Sequence, residues 1–156
     1  MKSLYKLLEE LTYKCEGMGT SNTSIENCSL EINEINTYLN NVLNTTECFY
    51  FSLLVILNLG EKRIAPLKHF AQHLKCKPID VIESIEILNN FYKKGIVERV
   101  SDHRDRVGNK GFTDYSYYVS DKQFQQLLEG TIKFEKSENK VTTGISLIKK
   151  NKATNG

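Results

Sequence analysis

Leu88-Asn89-Asn90-Phe91-Tyr92-Lys93-Lys94-Gly95-Ile96-Val97 is the stretch in which the hydrophobic period changes. Leu88 and Phe91 belong to a helical stripe that begins at Val81, Ile82 and Ile85. Lys93-Lys94-Gly95 then places cations at a helix end and a glycine just beyond it. Ile96-Val97-Glu98-Arg99-Val100 follows as a strand, and Tyr115–Val119 reads as its return. A helix that empties into a hairpin through one glycine fixes the class as mainly α with a small β-hairpin, α+β.

Working back from this junction, Lys77-Pro78 opens the helix that runs to about Lys94. Pro66 opens an earlier one with Leu67, Phe70, Ala71 and Leu74 on its inner face. Strand content is expected near Ile64. Residues 46–59 read as the most buried helix, because Phe49, Phe51, Leu53, Leu54, Ile56 and Leu57 cover more than one face. Gly60 supplies its stop and Asn44-Thr45-Thr46 its N-cap. Ile32, Ile35, Leu39, Val42 and Leu43 trace another helical stripe. Leu4, Leu7, Leu8 and Leu11 trace an amphipathic helix over 3–15. The Gly- and Ser-rich run 16–24 reads as a linker. Working forward, Ser120 caps a last helix carrying Phe124, Leu127 and Leu128 and ending at Gly130. The expected division is 1–28, amphipathic helix and linker; 29–130, the domain; 131–156, a basic tail or inter-domain linker.

The 156 residues carry 21 Lys+Arg against 19 Asp+Glu and are 40% apolar. That composition excludes global disorder and a strongly basic nucleic-acid binder. The tail holds six Lys and two Glu, net +4, which leaves residues 1–130 at −2. The N-terminus lacks the unbroken apolar core of a signal peptide. The apolar run Cys48–Leu57 is too short to span a bilayer, which takes about 20 residues. A cytoplasmic protein with no membrane partner is expected. Cys15, Cys28, Cys48 and Cys76 contain no CxxC pair, and free thiols in a reducing compartment are the expectation.

Leu88–Val97 resembles the exit of the third helix in winged helix-turn-helix domains, and Tyr117-Tyr118-Val119-Ser120 resembles their return strand. The resemblance covers about residues 46–130 and implies a winged helix with an N-terminal helical extension. Such domains serve DNA binding and protein contact alike. More weakly, Ser3–Leu11, Cys48–Leu54 and Arg104–Asn109 resemble the N-terminal region of certain bacterial AAA+ ATPases. That likeness implies a front-end domain or a stand-alone relative. No GxxxxGK[ST] occurs, so ATPase activity does not carry over.

The nucleic-acid candidates are Arg104, Arg106, Asn109 and Lys110 in the hairpin loop, with Asn90, Lys93 and Lys94 late on the third helix. Asp102, Asp105 and Asp114 dilute the loop's positive field. Asp80, Glu83 and Glu86 stand where a major-groove reader wants cations or amides. His69 and His73, four apart, with Cys76 beyond, have metal-ligand residue types but no supporting pair, so neither a metal nor a cofactor is expected. Ser101-Asp102-His103 cannot act as a triad in a strand, because neighbours point to opposite faces. No catalysis is expected. Tyr115 and Tyr117 share one strand face and Tyr118 the other, as core or as a partner-facing patch.

Two functions from different classes stand. One is a non-catalytic interaction or regulatory module whose partner is a protein or an attached ATPase domain. The other is a regulator that binds double-stranded DNA. The helix at Leu4–Leu11 is either a lid on the domain or the seam of a homodimer.

Overall fold

The computed structural model describes residues 3–20, 22–60, 63–101 and 115–130. Its centre is helix α4, Thr45–Gly60, in which every side chain from Cys48 to Val55 is buried. Eight successive buried positions leave no solvent face along two turns, so other elements must surround this helix on all sides. Its start is fixed reciprocally: Asn44 Oδ1 accepts from the Glu47 amide at 2.8 Å, and Glu47 Oε1 accepts from the Asn44 amide at 3.0 Å.

Helix α1, Leu4–Lys14, lays Leu4, Leu7, Leu8 and Leu11 against α4 and against α3, Ser29–Tyr38. The leucine stripe of α1 is therefore covered within the chain. A short helix, α2, Asn22–Glu26, lies between them. Helix α3 ends earlier than the apolar spacing predicts. Asn40 and Asn41 both adopt left-handed backbone (φ 68° and 57°), a conformation Asn tolerates better than most residues. Val42 and Leu43 still pack on the core from the turn that follows.

After α4, one wide turn over Pro66–Phe70 runs into helix α5, Ala71–Leu74. A 3₁₀ turn, Pro78–Val81, leads into helix α6, Glu83–Lys93. At helical spacing the inner face of this segment runs Val81, Ser84, Ile85, Leu88 and Phe91, and Ile82 falls outside it with Ile79 and Glu86. Ile82, expected inside, is exposed, and Ser84 is buried instead, its Oγ donating to the Val81 carbonyl at 2.6 Å. Phe51 meets Phe91 across the α4–α6 interface at 5.1 Å between ring centroids.

Gly95 ends α6 with φ 77°. Its amide donates to the Tyr92 carbonyl and the Ile96 amide to the Phe91 carbonyl, each at 3.0 Å, the double closure that an αL residue permits. Strands β1, Glu98–Ser101, and β2, Tyr115–Tyr118, pair antiparallel with Arg99 opposite Tyr117. Ile64 bridges the other edge of β2, exchanging both main-chain bonds with Tyr117 at 2.7 and 2.9 Å. Helix α7, Asp121–Glu129, starts on a Ser120–Gln123 capping box and stops at Gly130, φ 75°. Leu127 is buried and Phe124 half-buried, but Leu128 is 47% exposed rather than packed. The described residues thus form a mainly helical α+β fold with a two-stranded sheet, and no helix among them is long and apolar enough to cross a membrane.

Candidate interaction surface

The outer side of α6 decides what this face can bind. Ile79, Ile82, Glu83, Glu86 and Asn90 recur at helical spacing and are all exposed, Ile79 at 64% and Ile82 at 38%. Lys93 and Lys94 continue the exposed surface at the helix end. Beside this stripe, a cleft of about 480 Å³ opens between the start of α4 and α6. Glu47, Glu83, Glu86, Asn90 and the threonines 45 and 46 line it, with Ile87 as its apolar floor. Among the described residues neither Glu83 nor Glu86 is paired with a cation. Both lie in the first turn of α6, where a carboxylate also favours the helix dipole.

Of the residues expected to contact nucleic acid, the structure brings Asn90, Lys93 and Lys94 to one exposed end of α6. Only Asn90 reaches the cleft. Arg104, Arg106, Asn109 and Lys110 lie outside the described residues, as do Ser101's neighbours Asp102 and His103, Phe112 and the tail 131–156.

The histidines are occupied by main chain. His69 Nδ1 accepts from the Ala65 amide at 2.8 Å, and His73 Nε2 meets the Thr12 carbonyl at 2.7 Å, which makes that nitrogen the protonated one. No group of three or more metal-ligating side chains forms among the described residues.

One cluster was not legible as a site. Arg99 lies between two rings, its guanidinium carbon 4.2 Å from the centroid of Tyr92 and 4.0 Å from that of Tyr115. It donates to Asn89 Oδ1, which also accepts from the Tyr117 hydroxyl at 3.4 Å. Tyr117 gives its main-chain bonds to Ile64, so Arg99 and Tyr117 form a non-hydrogen-bonded pair, where cross-strand side chains approach closest. Burial pushes the Tyr117 hydroxyl up, and Arg99 partly offsets it. The sequence signal was the i, i+3 pair Asn89 and Tyr92 on the helix that precedes the strand. The stack joins the end of α6 to the root of the hairpin.

The buried thiols are chemically quiet. Desolvation pushes Cys15 and Cys48 up to about 12, with Cys28 adding to the effect on Cys15 and the Ser52 hydroxyl opposing it at Cys48. Cys28 and Cys76 are also raised by burial.

No protein-family model matches this chain, and neither a curated protein nor a solved structure matches it.

Proposed function

We propose that the chain is a non-catalytic interaction module of winged-helix type, which docks a protein partner on the outer face of α6. Support for the winged-helix reading is the order of elements: α4, the bridging Ile64, α5, α6 and then two antiparallel strands. The observation that carries the function is the exposed stripe Ile79, Ile82, Glu83 and Glu86. A helix that reads a major groove presents cations and amides, whereas α6 and the turn that leads into it present two carboxylates and two isoleucines. Apolar side chains rimmed by acid complement a protein surface with an apolar centre and Lys or Arg around it. The resemblance to AAA+ front ends makes an ATPase domain, in the same chain or another, the partner of first choice.

Two measurements test this. Anisotropy of a labelled random duplex titrated with the protein at about 50 mM salt, where phosphate contacts are strongest, is expected to show no saturation. Saturable binding that Arg104→Ala/Arg106→Ala abolishes would replace the proposal with the DNA-binding regulator. An immunoblot of the native gene product is expected to give a band well above 17.9 kDa if the ATPase partner is attached. A band at that mass removes the attached motor and leaves a separate partner.

A further inference from the structure

Helix α5 is one turn long, and a helix so short leaves most of its carbonyls without an intrahelical donor. Two donors arrive locally: Lys75, in left-handed backbone at φ 57°, and Cys76 both give their amides to the Ala71 carbonyl. The last two carbonyls of the helix, those of His73 and Leu74, are taken by a segment more than fifty residues away. The Gly17 amide donates to the His73 carbonyl at 2.8 Å, and the Gly19 amide to the Leu74 carbonyl at 2.9 Å. The His73 ring returns the contact, its Nε2 on the Thr12 carbonyl at 2.7 Å at the end of α1.

From this reciprocal arrangement we infer that residues 15–20 are a latch rather than a linker. It closes the C-terminal end of α5 and so sets the turn Lys75–Lys77 that aims α6. Both glycines stand at positive φ, 76° and 83°, which turns their amides toward the α5 carbonyls at little steric cost. The segment is held on its own side as well. Met18 lies against Cys28 with sulfur atoms 3.8 Å apart, and the Ser24 hydroxyl donates to the Met18 carbonyl at 3.0 Å. With Leu7, Leu8 and Leu11 of α1 fully buried, the latch has a rigid anchor at one end and the α5–α6 turn at the other. The latch is a device by which displacement of α1 moves the start of α6, the face proposed above for docking. Its existence does not depend on that proposal.

Native-state hydrogen exchange on the full chain tests it, with His73→Ala to remove the ring contact and Gly19→Ala to strain the latch from the other side. A Cβ at residue 19 meets nothing within 4 Å, so that substitution acts through backbone strain alone and leaves α5 untouched. In the unaltered protein the Gly17 and Gly19 amides are expected to be protected. Either variant is expected to speed their exchange, together with that of Asp80, Ile82 and Ile85, at least tenfold. The Ile64 and Tyr117 amides should stay unchanged. His73→Gln, which keeps a donor near the Nε2 position, is expected to restore protection. Unprotected Gly17 and Gly19 amides in the unaltered protein would overturn the latch. Acceleration confined to residues 17 and 19 would overturn its control of α6. If His73→Ala does not fold, Gly19→Ala decides alone.

Discussion

Replacing Gln123 by Ala removes the group on which three elements converge. Its side-chain amide, 8% exposed, donates to the Gly95 carbonyl at 3.1 Å and to Glu98 Oε2 at 2.7 Å. Its Oε1 accepts from the Ser120 amide at 2.9 Å, closing the capping box of α7. A neutral hydrogen bond contributes about 1 kcal/mol net, and one to a charged group about 1.5–3 kcal/mol when water is excluded. Glu98 and Ser120 are only half-buried, so water partly replaces the lost amide there. The expected loss is about 2–3 kcal/mol. Urea unfolding checks it, read as a midpoint lowered by about 1–2 M for slopes near 1.5–2 kcal/mol/M. A double-mutant cycle with Glu98→Ala isolates the charged bond, with about 1 kcal/mol of coupling expected. A loss below about 0.5 kcal/mol, or additive single mutants, would refute the claim that Gln123 fastens α7 to the exit of α6 and to β1.

Two further outcomes follow from buried groups. Tyr50 is fully buried, its hydroxyl has no partner among the described residues, and burial raises its pKa well above the ordinary phenol range. Tyr50→Phe should therefore be neutral or stabilising by up to about 1 kcal/mol in urea unfolding, because an unsatisfied buried hydroxyl is lost along with its desolvation cost; destabilisation beyond 1 kcal/mol would mean the hydroxyl is bonded. Cys15 and Cys48 stay protonated in the folded chain up to about pH 12, whereas in the unfolded chain they ionise near pH 8.5–9. Above that point the unfolded state holds fewer protons, so stability is complete below about pH 8.5 and falls as pH rises toward 12. The two thiols together should cost about 3 kcal/mol between pH 8 and 10, and Cys15→Ala/Cys48→Ala should flatten most of that slope; a slope unchanged in the variant sinks the assignment.

The helices were legible wherever side chains alone decide them. The leucines of α1, the apolar surround of α4 and the glycine that ends α6 all declare themselves through period and stop signal. The latch did not, because its bonds run from two glycine amides to two carbonyls, and main-chain bonds leave no trace in residue type beyond tolerance of glycine. A polar, Gly-rich run therefore read as a linker, although it is tied to α5. The apolar spacing carried α3 past its end for the opposite reason: Val42 and Leu43 pack on the core from a turn, so they kept a helical signature without a helix. Ile82 failed because its apolar type outweighed its phase, which groups it with the exposed Ile79, Glu83 and Glu86 and opposite Phe91. The Arg99 stack needed tertiary pairing of helix and strand, which no local window contains.

The placement of Ile82 also bears on function. Glu83 and Glu86 have a sufficient reason to stand where they do, because carboxylates in the first turn of α6 stabilise its dipole whatever the protein binds. Their presence weakens a duplex-binding reading without pointing to a partner. Ile79 and Ile82 have no such intramolecular reason: single exposed apolar residues are ordinary, but these two lie one turn apart on the same stripe as the carboxylates. The helical period of this segment places Ile82 in solvent and Ser84 in the core beside Leu88 and Phe91, where its hydroxyl must find the Val81 carbonyl. A polar residue inside and an apolar one outside is the reverse of what core packing alone would favour. Covering Ile79 and Ile82 with a partner recovers the apolar burial that this exchange forgoes, at roughly 25 cal/mol for each Å² removed from water. The isoleucines, more than the charges, are therefore the residues whose substitution separates a docking face from a solvated one.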